Sequence, residues 1–229
     1  MTATLIFGGT FDPVHFGHVL SARALGECFD DARVVMVPCQ VPPHRSQPAV
    51  KARHRLKMLE LAVADEPMIT VDDCELKREG KSFTFDTLSM YRAQLPDTPL
   101  CFLLGNDSWV TLTTWHRRRE LINLAHLVVL DHQGETVAES DELQDWAAGR
   151  LAEPDVISRK AGSVVKLTLE HFDVSATNAR KACRYVCFRM STNHMHMRFY
   201  HEIKCNYVNW LMDYCVDCII QCDCTRRKC

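Results

Sequence analysis

The chain has 229 residues, is 47% hydrophobic and carries a formal net charge of −2 at pH 7, enough for one domain with a full core and marginal for two. The near-neutral balance shows no basic stripe, which argues against binding along a nucleic acid. No apolar run approaches the roughly 20 residues of a membrane helix, and no basic segment precedes the first apolar residues as in a signal peptide, so a cytoplasmic, membrane-free protein is expected.

Thr4-Leu5-Ile6-Phe7 reads as a buried strand, with Leu5–Phe7 at its centre, and it is followed at once by Gly8-Gly9-Thr10-Phe11-Asp12-Pro13-Val14-His15-Phe16-Gly17-His18. The next stretch, Gly17–Phe29, has helical character. Strand, glycine turn and two histidines three apart at a helix start make a phosphate site. Glycine lets the backbone approach a ligand, and a helix N-terminus presents N–H groups to an anion. Imidazoles at that position can donate to phosphate oxygens. A histidine on such a turn is expected to make few core contacts.

Further strands are expected at Val34–Val37, Ile69–Val71, Leu100–Leu104, Leu127–Leu130 and Val164–Leu169. Helices are expected at Lys51–Ala64, Thr84–Gln94, Arg117–Leu124 and Asp141–Ala148. Near-continuous apolar strands alternating with helices indicate an α/β fold, a Rossmann-like doubly wound parallel sheet covered on both faces. Ligands in such folds bind beyond the carboxyl ends of the strands. Three loops of unusual composition leave those ends.

The first is the glycine turn. The second, Val37-Pro38-Cys39-Gln40-Val41-Pro42-Pro43-His44-Arg45, uses adjacent prolines to present His44 and Arg45, the latter suited to phosphate. The third, Gly105-Asn106-Asp107-Ser108, sets a carboxylate at a strand end, fit for ribose hydroxyls or for orienting a cation, and Trp115 follows eight residues after Asp107 as a candidate to stack on a flat ring. Ser82-Phe83-Thr84 reads as a helix start capped by Thr84 or Ser82. Ser175-Ala176-Thr177-Asn178-Ala179-Arg180 places hydroxyls at a helix start and an arginine one turn in, a second anion site that could face the first.

In this order the segments resemble the bacterial nicotinate-nucleotide adenylyltransferases of the nucleotidyltransferase superfamily, over residues 1 to about 182. The resemblance implies a nucleotidyltransferase fold, transfer of the adenylyl group of ATP to nicotinate mononucleotide, and Mg²⁺ entering with ATP. It implies ATP binding by Gly8, Gly9, Thr10, Phe11, His15, His18, Gly105, Asp107, Ser175, Thr177 and Arg180, with His15, His18 and Arg180 catalytic. It implies nicotinate mononucleotide binding by His44, Arg45, Thr84 and Trp115, and no protein metal site. Two departures stand out: Ala179 replaces the usual isoleucine before the last arginine, and Cys39-Gln40 replaces small polar residues. The nearest rival activity is transfer to another phosphate acceptor such as phosphopantetheine. A rival from another class is a non-catalytic nucleotide- or metal-binding protein, against which intact His15 and His18 argue.

Residues 183–229 match nothing in that pattern. Of the twelve cysteines only Cys28, Cys39, Cys74 and Cys101 precede this segment, which has no glycine or proline. Three readings stay open: a non-native or divergent end produced by a frame change, an artefact or weak constraint, an amphipathic helix with one face running through Ile203, Tyr207, Trp210, Leu211, Tyr214, Cys215, Cys218 and Cys222, or a metal site at Cys215, Cys218, Cys222 and Cys224 whose spacings, apart from Cys-x-x-Cys, fit no standard finger or ribbon. The expected organisation is therefore a nucleotidyltransferase domain over 1–182 and an atypical Cys-rich tail over 183–229.

Overall fold

Leu5, Ile6, Val34, Met36, Val37, Leu100, Cys101, Leu127, Val128, Val164 and Val165 are all essentially removed from solvent. Runs buried on both faces cannot sit on an open surface; they form the middle of a sheet with helices on either side. The strands are β1 (Thr4–Gly9), β2 (Arg33–Pro38), β3 (Ile69–Val71), β4 (Leu100–Gly105), β5 (His126–His132) and β6 (Val164–Leu169). They make one six-stranded sheet in the order β3-β2-β1-β4-β5-β6, every pair parallel. This computed structural model describes residues 2–30, 32–43, 48–132, 138–155 and 159–169, all inside the unit Met1–Val174. The sequence expectations for the Ser175–Arg180 motif, for His44 and Arg45 and for the tail over 183–229 lie outside the described residues.

The helices are α1 (Phe16–Cys28), α2 (Ala52–Ala62), α3 (Thr84–Gln94), α4 (Asn106–Trp109), α5 (Arg118–Leu124) and α6 (Asp141–Ala148), with a 3-10 turn at Leu112–Thr114. Burial follows helical spacing. Val19, Ala22 and Leu25 face the sheet from α1, and Arg55, Met58 and Leu59 from α2, at intervals of three and four. α1 stops where Asp30 takes a left-handed φ of 53° and the Ala32 amide turns back to the Gly26 carbonyl at 3.1 Å. α6 starts at Ser140, whose hydroxyl accepts from the Leu143 amide.

Two expectations need correction. α3 is not capped by Ser82 or Thr84: its N-cap is Phe83, with no side-chain cap bond, and Thr84 is the first helical residue. The Ser82 hydroxyl is engaged elsewhere, accepting from the Gln40 amide at 2.9 Å. The segment after β4 is also more structured than a loop, because α4 and the 3-10 turn occupy it.

Strand order fixes where a ligand goes. From β1 the chain runs outward to β3, then returns to place β4 on the other side of β1. The connections after β1 and β4 therefore diverge and leave a crevice at the carboxyl edge, the switch point of a doubly wound sheet. Gly9 pairs in register with Pro38, and Gly105 with Leu130, so the glycine turn and the Gly105 turn flank that crevice. The opposite edge is closed by Arg92, which donates to the carbonyls of Leu95, Thr98, Leu124 and Lys160 at 2.8–2.9 Å. No helix among the described residues is long and apolar enough to cross a membrane.

Candidate active site

Gly8 and Gly9 end β1, and both are held to glycine by rings. A Cβ on Gly8 would lie 3.2 Å from the Phe102 ring, and one on Gly9 2.9 Å from the Phe11 ring. Phe11, 2% exposed, takes a left-handed φ of 47° to cover the turn. The Asp12–Pro13 peptide is cis, and the Asp12 carboxylate accepts from the Ala49 amide at 2.8 Å, tying this turn to the chain ahead of α2.

His15 is the N-cap of α1 and His18 its third residue. The His15 amide donates to Nδ1 of His18 at 3.2 Å. An Nδ1 that accepts leaves the proton of a neutral ring on Nε2, so the backbone selects the tautomer of His18. The two imidazoles stack with centroids 3.7 Å apart and planes at 32°. Phe11 meets His18 edge-on at 5.1 Å. Burial lowers His15 to about 4 and, together with the charge of its neighbour, His18 to about 3. Both rings are therefore neutral at pH 7 and would act as hydrogen-bond donors, not as cations. His18 is also packed more closely than its place on a turn suggested.

Across the crevice, Gly105 is the N-cap of α4. A Cβ there would press to 2.9 Å on Oδ1 of Asp107, which accepts from the Ser108 amide at 2.8 Å. Asn106 donates to Asp131, at the end of β5, at 3.3 Å.

Of the acceptor-side candidates, Thr84 and Trp115 are linked through aromatic contacts of their chain neighbours. Phe83, just before Thr84, stacks on His116 with centroids 4.7 Å apart, and the Arg117 guanidinium lies 3.5 Å over the Phe85 ring. Half-buried Trp115 meets Phe102 edge-on at 6.3 Å, and the same Phe102 lies against Gly8. Thr84, Trp115 and the glycine turn therefore belong to one neighbourhood.

Sequence reasoning missed two polar residues here. Asp131 had a weak signal, a carboxylate at the end of an apolar strand. Arg55 had a better one, since it shares the buried face of α2 with Met58 and Leu59 and is itself 1% exposed. A charge on an apolar helix face is either an error of register or a residue with work to do.

A glycine turn, stacked histidines at a helix start and a switch-point crevice form the frame of a nucleotidyl-transfer site. The cytidylyltransferase-like family matches residues 6–182. The chain belongs to that family. Within it, a "probable nicotinate-nucleotide adenylyltransferase" of Pectobacterium atrosepticum is 41% identical over 182 residues, covering 78% of this chain and 85% of its own. A protein of the same name from Yersinia enterocolitica is 40% identical over 183 residues, with 78% and 83% covered. Among solved structures, the Plasmodium falciparum nicotinic acid mononucleotide adenylyltransferase complexed with NaAD has a TM-score of 0.64 at 16% identity, covering 95% of this chain and 96% of that one. At that identity the likeness is one of fold.

Proposed function

We propose that this chain is a nicotinate-nucleotide adenylyltransferase, which transfers the adenylyl group of ATP to nicotinate mononucleotide and forms nicotinate adenine dinucleotide and pyrophosphate. The observation that carries the reading is the pair of neutral, stacked imidazoles at the start of α1, on a glycine turn at the switch point. Relatives about 40% identical that bear the name of this activity support the choice of acceptor.

A phosphate oxygen of the mononucleotide bonds to the α-phosphorus of ATP, the bond from that phosphorus to the α,β-bridging oxygen breaks, and pyrophosphate leaves. The nucleophile is already an anion, so the chain need not supply a strong base. Its contribution is placement and stabilisation of developing charge. Neutral His18, with its proton on Nε2, supplies a donor already oriented by the His15 amide; His15, Gly8, Gly9, Thr10 and Phe11 complete the phosphate side. Gly105 and Asp107 take the ribose side of ATP. Ser175, Thr177 and Arg180 are assigned further anion contacts to ATP, and His44 and Arg45 the acceptor phosphate. Trp115 and the first turn of α3 from Thr84 would hold the pyridine ring and its carboxylate.

Mg²⁺ is assigned as part of the MgATP substrate. An ion carried on phosphate oxygens would keep most of its waters. The cytoplasm, where thiols stay reduced, is the compartment that suits free Cys28, Cys39, Cys74 and Cys101.

Pyrophosphate release tests the reading. With MgATP and a panel of nicotinate mononucleotide, nicotinamide mononucleotide and phosphopantetheine, turnover is expected to be fastest with the first. Turnover with phosphopantetheine alone, or with none of the three, would overturn it.

A further inference from the structure

Arg55 is the second-largest fully buried side chain among the described residues, after Trp109. A guanidinium out of water is tolerated only if its donors are met. Here they are met by backbone carbonyls of three separate segments. Nη1 donates to Thr10 at 2.6 Å, in the turn after β1. Nη2 donates to Cys39 at 2.7 Å and to Gln40 at 3.4 Å, in the loop after β2. Nε donates to Val50 at 3.2 Å, ahead of α2. The fork thus spans from the phosphate-side turn to the loop that continues toward His44.

The path does not stop there. The Gln40 amide donates to Oγ of Ser82 at 2.9 Å, and the Ser82 amide donates to the Val41 carbonyl at 3.0 Å. Ser82 stands two residues before α3 and Thr84. Behind it, Thr87 of α3 donates to buried Glu75 at 2.5 Å, and Arg78 bonds the same hydroxyl. One hydrogen-bonded path therefore joins Thr10 to the start of α3 through the Arg55 fork, alongside the direct bond from the Cys39 amide to the Gly9 carbonyl at 2.9 Å and the Cys39 Sγ to Thr10 Oγ1 contact at 3.7 Å.

We propose that Arg55 is a positioning residue that sets the distance between the ATP-side turn and the acceptor-side loop, acting through Thr10, Cys39 and Gln40 and touching no substrate. The inference rests on the adenylyl-transfer reading. That reaction depends on holding two phosphates at near-attack distance, about 3–3.5 Å between reacting atoms, so a displacement of about 1 Å between the two loops costs about 10²-fold in rate. A planar fork can satisfy carbonyls from three segments at fixed angles. A lysine ammonium carries the charge but not the fork.

The test compares Arg55→Met, Arg55→Lys and Arg92→Met. Arg92 is the control because it too is satisfied by carbonyls, but at the edge of the sheet away from the site. Kinetics are measured with MgATP and nicotinate mononucleotide well below the unfolding temperature of each variant. Arg55→Met is expected to lower kcat about 10²-fold while the separate Kd values for α,β-methylene ATP and for nicotinate mononucleotide move less than about threefold. Arg55→Lys should recover less than about tenfold of that loss. Arg92→Met should lower Tm and leave kcat near that of the unaltered chain. A second readout needs no acceptor: α,β-methylene ATP should slow hydrogen exchange of the Gln40 and Val41 amides in the unaltered chain and not in the Arg55 variants. Full kcat in Arg55→Lys, or an unchanged exchange response in both Arg55 variants, would overturn the proposal, and Arg55→Lys alone decides it if Arg55→Met does not fold. If the unaltered chain fails to adenylylate nicotinate mononucleotide, the activity reading falls and the exchange response still decides Arg55.

Discussion

His18 does two jobs through two nitrogens. Nδ1 accepts the His15 amide and fixes the ring at the first turn of α1, which leaves Nε2–H as the donor for a ligand. His18→Ala is therefore expected to lower kcat by about 10²- to 10³-fold, as loss of one preorganised donor does, and also to cost about 1–2 kcal/mol of stability, because the ring packs on His15 and Phe11 and satisfies an amide. A variant that folds normally and turns over at near the full rate would remove His18 from the mechanism. The lowered pKa values carry a second expectation. Above pH 6.5 both histidines are neutral folded and unfolded. Below it the unfolded chain takes up protons that the folded chain refuses until about pH 4 for His15 and about pH 3 for His18. The unfolded state then binds more protons, so stability is lost as pH drops through that window, by about 2 kcal/mol for the pair once their partial exposure is allowed for. Urea unfolding from pH 7.5 to 4.5 should show a shallower acid limb in a His15→Gln, His18→Gln double variant. His126, lowered mainly by its own burial, is present in both proteins and cancels. Parallel limbs would contradict the assignment.

At the scale of elements, acceptor choice is expected to depend on how α3 meets the segment after the 3-10 turn. Trp115 is braced edge-on by Phe102, and the residues on either side of Thr84 pack on His116 and Arg117. A flat ring held by Trp115 would direct its substituent toward the first turn of α3, where N–H groups suit a carboxylate and meet an amide poorly. Nicotinate over nicotinamide mononucleotide is expected by about 10²-fold or more in kcat/KM, and Trp115→Ala should weaken acceptor binding while ATP affinity stays near normal. Equal kcat/KM for the two acceptors would contradict this geometry. These elements also mark where a sequence can be read and where it cannot. Strands buried on both faces, such as Val34–Val37 and Leu100–Leu104, declare themselves by composition, and α6 by spacing. α4 and the 3-10 turn are too short to show any period. Ser82 looks like a cap, since serine before a helix usually is one; only the fold brings the Gln40 amide to its hydroxyl. The motif histidines are local in sequence and were legible for that reason. Arg55 was not, because three of its four carbonyl partners, those of Thr10, Cys39 and Gln40, are brought to it by tertiary packing.

For the whole molecule, the division of the chain decides what the chemistry requires. The family match runs over residues 6–182, and the sequence relatives cover 78% of the chain. Every residue assigned to a substrate lies at or before Arg180. The eight cysteines from Cys183 onward add thiols to the four that precede them, and exposed thiols react under oxidising conditions. We therefore expect truncation after residue 190 to retain adenylyl transfer, with kcat and both Kd values within about threefold of the full chain, as for changes that touch no transition-state contact. The shortened protein should also form fewer intermolecular disulfides when air-oxidised, seen as fewer high-mass bands on non-reducing gels. Zinc content separates the remaining reading of the tail. If the purified full chain carries one equivalent of zinc, and a zinc-selective chelator abolishes turnover with Mg²⁺ kept in excess, Cys215, Cys218, Cys222 and Cys224 belong to a structural site that the enzyme needs. Loss of nucleotide binding on truncation would point the same way, because the Ser175–Arg180 motif would then depend on residues beyond it.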